Sequence, residues 1–307
     1  MLAYSLRRLG GAIPTLFVVM TVSFFMMRLA PGGPFDRERM LAPAVEANIK
    51  KAYNLDQPLV VQYGIYLSKA LQGDLGPSFK YQDYSVVELI ESGFPVSFEI
   101  GITAIILAVI VGGGLGIFAA LRQNSGLDHT VMATAMIGIT VPNFVMAPLM
   151  TLILGVYLRL LPVGGYGGGS LRNLILPTVA LALPPVAYIA RLTRASMIEV
   201  LRSNYIRTAR AKGLPGRIVV GRHGLRAAFL PVVSYLGPAI AGIITGSVVI
   251  ETIFGIPGIG RYFVQGALNR DYTLVMGVVI FYGALIILLN LLVDLAYGVL
   301  DPKIRYD

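Results

Sequence analysis

The chain has 307 residues, of which 56% are hydrophobic and only 13% charged, with a mean hydropathy of +0.74. That composition leaves too little polar surface for a soluble protein, and long apolar runs make it an integral membrane protein instead. With no cysteine there are no disulfides or thiolate metal sites, and two histidines, His129 and His223, leave little for a metal cluster.

Taken in order, residues 9–27 form an uncharged run behind Arg7 and Arg8. No small-x-small cleavage pattern follows it, so the run predicts a spanning helix rather than a signal peptide. Residues 28–97 are polar, with nearly balanced charge, and predict a small extramembrane subdomain. Within it, Asp56 and Gln57 ahead of Pro58 open a helix running to about Leu71, and Ser85 with Glu88 makes a capping box for a second short helix toward Ser92. Five further apolar segments follow, at about 98–121, 130–158, 173–190, 229–250 and 274–299. Each is long enough to cross a hydrocarbon core of ~30 Å, and the segment at 130–158 has length to spare for tilt. The expected fold is therefore all-α, with six transmembrane helices and a subdomain between the first two. The expected divisions are 1–27, 28–97, 98–300 and a tail at 301–307. Gly112-x-x-x-Gly116 and Gly242-x-x-x-Gly246 predict close helix contacts.

The stretch 191–226 carries nine of the 25 Lys and Arg residues against one acid, Glu199. Six spans put it on the same side as both termini, and the excess of basic residues there makes that side cytoplasmic. The net charge of +9 is then a matter of topology, and nucleic acid is not needed to explain it. Ser196 and Glu199 read as a capping box that starts a helix near Met197. Ser203 or Asn204 would cap a second short helix, with Gly213 to end it and Pro215 to prevent its continuation. Small or apolar Ile206, Ala209 and Ala211 alternate there with Arg207, Arg210 and Lys212. Such a helix fits a groove on a partner protein or rests on anionic headgroups, and the residues alone leave both open.

RTARAKGL (207–214) and RHGLRAA (222–228) resemble the cytoplasmic coupling loop of ATP-binding-cassette importer permeases. The family pattern is Glu-Ala-Ala, three residues, Gly, nine residues, then Ile-x-Leu-Pro. Arg207, Thr208 and Ala209 take the first three places, Gly213 the glycine, His223 the Ile, Leu225 the Leu and Arg226 the Pro. The missing Glu and Pro are typical of the peptide branch, which LAPGGP, LDQP, GDLGPS, ETIFGIPGIG and DPKIR also resemble, in order along nearly the whole chain. The resemblance is greatest to the oligopeptide permeases of Gram-negative bacteria, with dipeptide or nickel importers as the alternative cargo class. It implies a type I importer permease fold in a bacterial inner membrane. Its implied partners are a homologous second permease, two cytoplasmic ATPases that bind ATP and Mg, an extracytoplasmic peptide-binding protein, peptide substrate and membrane lipid. It also implies ATPase docking through Tyr205, Ile206, Arg207, Thr208, Ala209, Arg210, Ala211, Lys212 and Gly213.

No G-x-x-x-x-G-K-[ST], HExxH or G-x-S-x-G occurs, so no catalytic residue, metal ligand or cofactor is expected in this chain. The glycine-rich GGYGGGS at 164–170 lacks a lysine and reads as a flexible loop. Asn290 and Asp294 share a face of the last span, either as a polar cavity lining or, the favoured reading, with Asp294 in a salt bridge to Arg191 or Arg194. Glu251 reads as a gate or as a helix-end carboxylate. A proton-driven secondary transporter would need acids or histidines in several spans and internal repeats, and neither is found.

Overall fold

The computed structural model describes residues 2–29, 54–81 and 83–300, and the tail expected at 301–307 falls outside them. Among the described residues the regular structure is helical, with a single isolated bridge between Pro77 and Ser85. The helices are α1 (Leu2–Leu29), α2 (Leu59–Leu71), α3 (Val86–Leu121), α4 (Gly126–Thr140), α5 (Asn143–Met150), α6 (Leu171–Leu201), α7 (Asn204–Ala211), α8 (Leu230–Gly246), α9 (Val248–Phe254), α10 (Ile259–Leu268) and α11 (Tyr272–Leu300). Four of them contain stretches long and apolar enough to cross a membrane: Gly10–Leu29, Val86–Leu121, Leu171–Leu201 and Tyr272–Val293. Two bent pairs, Gly126–Thr140 with Asn143–Tyr157 and Gly216–Ala228 with Leu230–Thr245, bring the number to six if each pair is one span.

Several expected boundaries move. The capping box at Ser85 forms as expected: Glu88 Oε2 accepts from the Ser85 amide at 2.7 Å, and the Glu88 amide donates to Ser85 Oγ at 3.2 Å. The helix it opens does not stop near Ser92, however, but runs through Pro95 to Leu121. A proline removes only one helical hydrogen bond, and packing such as the 5.0 Å contact of the Phe94 and Phe281 rings offsets that loss. The long segment 130–158 is not one tilted helix but is bent by 105°. Pro142 holds Val141 in extended backbone (φ −94°, ψ 119°) and supplies no N–H, so α4 ends and α5 restarts after it. No helix starts near Met197, because α6 continues to Leu201 and Ser196 and Glu199 lie within it, where no orphan amide needs a cap.

The chain forms two compact units. One comprises 97–256 with the described part of 288–307. Its central helix is α6, approached closely through glycines: a Cβ on Gly112, Gly116 or Gly138 would lie 2.6 Å from Val186 O, 2.5 Å from Ala190 O or 2.5 Å from Leu183 O. These are the small-residue contacts of membrane helices. Gly242, by contrast, has no neighbour within 4 Å of its Cβ position, so its expected packing role fails within this chain.

The second unit comprises 2–96 and 257–287, more than the 28–97 expected as a subdomain, of which 30–53 and Gln82 are not described. Val86, Leu89 and Ile90 of α3 pack with Ile259 of α10 and with Leu274 and Val278 of α11. α2 lies against α1, where Tyr63 meets Phe24 ring to ring at 5.3 Å and its hydroxyl lies 2.6 Å from that of Thr21.

Candidate functional site

The helix expected to dock a partner is α7. Its N-cap residue, Ser203, turns its hydroxyl back to Val200 O at 2.6 Å, so it makes no side-chain cap. The C-terminal stop forms as the sequence indicates. Gly213 adopts φ +75°, its amide donates to Arg210 O at 2.9 Å, and the Leu214 amide reaches Ala209 O at 3.3 Å. These two bonds make a Schellman motif, which needs a residue free to adopt the left-handed conformation.

The orientation of α7 corrects one part of the sequence reading. Ile206 is fully buried and Ala209 is 7% exposed, both packed on Val219 with Val200 and Leu214 alongside. They anchor α7 to its own chain and are not free to enter a groove elsewhere. The surface α7 does offer comprises Tyr205, Arg207, Thr208, Arg210, Ala211 and Lys212, with Gly213 at its end, all exposed. Behind it, a helical stretch of three short pieces (Gly216–Ile218, Val219–Gly224, Leu225–Ala228) leads into α8, and Ala228 is buried with Met197 and Ala120.

The base of α6 is fixed by a pair that the sequence reading missed. Arg194 donates through Nε and Nη2 to both oxygens of Asp128, each at 2.6 Å, and Asp128 also accepts from the Asn124 amide at 2.9 Å. The Asp128 side chain is fully buried and that of Arg194 is 26% exposed. Bidentate geometry of this kind is the strong form of an ion pair. Arg194 is thus bound to Asp128, while the ion pair expected of Asp294 falls on a side chain outside the described ones. Asn290 is half-buried.

Glu251 is fully buried in α9, where its Oε1 accepts from the hydroxyls of Ser97 at 2.7 Å and Ser247 at 2.5 Å. Glu251 thus lies near the end of its helix, as expected, with its carboxylate buried. The glycine-rich loop is tied down rather than loose. Tyr166 donates to Glu99 at 2.7 Å, the Gly165 amide donates to Phe254 O at 2.6 Å, and Asn173 Nδ2 reaches the carbonyls of Gly164 and Gly165. Bonding to the Glu99 carboxylate raises the Tyr166 phenol above its usual range.

In the other unit, buried Asp271 caps α11 through Leu274 N (3.1 Å) and Thr273 Oγ1 (3.0 Å) on one oxygen. Its other oxygen accepts from Ser78 Oγ at 2.5 Å and from the amides of Phe79 and Lys80 at 3.0 and 3.1 Å. One carboxylate thus holds the GPSFK turn to the head of a spanning helix. Tyr81, on the same turn, donates to Gln265 Oε1, and burial pushes its phenol upward.

Apolar helices interrupted at prolines and a short, exposed basic helix with a glycine stop together describe a membrane protein that displays one small helix outside its apolar segments. Two family models match, the binding-protein-dependent transport system inner membrane component over residues 112–306 and its N-terminal companion over 1–100. The chain belongs to that family. It is 59% identical over 306 residues to the Oligopeptide transport system permease protein OppB of Escherichia coli (strain K12), covering all of both chains. It is 53% identical, with the same coverage, to OppB of Haemophilus influenzae. Identity to the Dipeptide transport system permease protein DppB of Bacillus subtilis is 47%, over 99% of this chain and 98% of that one. Among solved structures, an inward-facing form of the MetNI methionine ABC transporter matches with a TM-score of 0.60 at 18% identity, over 69% of this chain and 96% of its own. That likeness supports the type I importer permease fold. The chain is accordingly a multi-pass inner-membrane permease subunit.

Proposed function

We propose that the chain is one permease subunit of an ATP-driven oligopeptide importer and that α7 is the element through which ATPase motion reaches the membrane helices. The observation that carries the cargo class is full-length identity of 53–59% to OppB relatives, above the 47% to a dipeptide permease. Its partners in this reading are a second, homologous permease, two cytoplasmic ATPases that bind ATP and Mg, and an extracytoplasmic peptide-binding protein, with both termini cytoplasmic. Support for α7 as the docking element comes from its exposed face, its glycine stop and its apolar attachment through Ile206 and Ala209 to Val219. A short, internally anchored helix passes displacement on instead of absorbing it, which two-state transport requires.

The test is uptake of labelled tri- and tetrapeptides by cells lacking this chain, with and without its re-expression. Loss on deletion and recovery on re-expression support the reading. Unchanged tri- and tetrapeptide uptake with loss of dipeptide uptake would assign it to the dipeptide class instead.

A further inference from the structure

The bend at Pro142 places Asn143 at the head of α5 with its Oδ1 buried and without a hydrogen-bond partner. Asn143 lines a cavity of about 360 Å³ together with Leu181, Pro184, Pro185, Tyr235 and Gly242, among others. Prolines at 184, 185 and 238 lack the N–H that the carbonyls four residues earlier, at Ala180, Leu181 and Ser234, would otherwise accept. Of these three residues Leu181 lines the cavity with Asn143, whereas Ala180 is fully buried. Interrupted backbone at membrane depth is tolerated only where it is buried in protein or lines a water-filled cavity, and a polar side chain such as Asn143 does not face lipid for the same reason.

The wall continues along α6 by stacking. The Tyr235 ring lies on that of Tyr188, with centroids 4.2 Å apart and planes 24° apart, and the Arg191 guanidinium sits 5.2 Å from the Tyr188 centroid. Arg191 is exposed, and among the described residues no carboxylate pairs with it. The same wall thus offers acceptors near Pro184 and a cation at Arg191. Seven helical residues separate those positions, a rise of roughly 10 Å. An extended chain covers that distance in about three residues.

Resting on the reading of the chain as a peptide importer, we propose that this wall is a terminus-reading track: Asn143 Oδ1 and the proline-freed carbonyl of Leu181 take the peptide ammonium, and Arg191, held on Tyr188, takes its carboxylate. Both groups are common to all peptides, so the track passes varied sequences while favouring chains of three residues or more, which reach both ends at once. A dipeptide engages one end at a time.

The test uses the whole transporter, with all partner subunits, reconstituted in vesicles and turning over ATP. Tripeptides carry a diazirine side chain at residue 1 or at residue 3. Label from residue 1 is expected in segments 143–150, 180–185 or 234–243, and label from residue 3 in 188–194. Overlapping or reversed labelling overturns the proposal. In the same system Arg191→Gln should slow tripeptide uptake about tenfold at subsaturating peptide, the size of one charge-assisted contact, with binding-protein affinity unchanged and with Arg191→Lys recovering most of the rate. Equal uptake by wild type and Arg191→Gln also overturns it. A wild-type complex that takes up no peptide would instead refute the importer reading on which the track rests.

Discussion

The Asp271 turn and α7 represent two opposite uses of polar residues. Asp271 is fully buried and collects five hydrogen bonds, from Ser78, Phe79, Lys80, Thr273 and Leu274. α7 exposes Arg207, Arg210 and Lys212 and is held mainly by Ile206 and Ala209 on Val219. At Asp271 the charge is the structure, because removing it leaves several buried donors without a partner. On α7 the structure is apolar and the charge is left free for a partner. Single replacements should therefore damage folding in the first region and coupling in the second.

The largest effect is expected from Asp271→Ala, which should lower stability by about 3 kcal/mol or more, since each bond to a charged group is worth about 1.5–3 kcal/mol. Thermal unfolding of the purified complex in detergent reads this out, and a shift as small as that of a surface substitution would remove the contrast. Asp128→Asn should follow, costing about 2 kcal/mol by leaving part-exposed Arg194 without its bidentate partner. That loss should be largely restored in a double variant that also carries Arg194→Leu.

Gly213→Val should cost about 1–2 kcal/mol locally, because a β-branched residue fits φ +75° poorly. Its larger consequence is functional: ATP hydrolysis should continue while peptide uptake falls, and normal coupled uptake would count against the docking role of α7. Arg210→Gln should change stability by no more than about 0.5 kcal/mol, as exposed substitutions generally do. Any effect it has should appear as weaker ATPase association that depends on salt.

What was legible in the sequence was local chemistry. The Ser85–Glu88 box, the glycine stop at Gly213 and the apolar lengths of the spans are each decided within a few residues. The same local logic failed at Ser196 and Glu199, since a capping pair inside a continuous helix has no free amide to serve. The break at Pro142 was hidden by unbroken hydropathy, although a proline after β-branched Val141 was the available signal. Asp128 with Arg194 and Asp271 with Ser78 lie 66 and 193 residues apart, and no periodicity connects them. The inward face of α7 could have been read from Ile206 and Ala209, an i, i+3 apolar pair on an otherwise polar helix.

The chain has no cysteine, so single cysteines at Thr208 and Ala209, each carrying a photoreactive maleimide, test the exposed face of α7 directly in the assembled, transport-active complex. Cross-linking to an ATPase subunit from Thr208→Cys, with little label or adduct at Ala209→Cys, is the expected result. No adduct from Thr208→Cys, or equal adducts from both positions, would contradict the assignment of α7 as the element that joins the ATPases to the membrane helices.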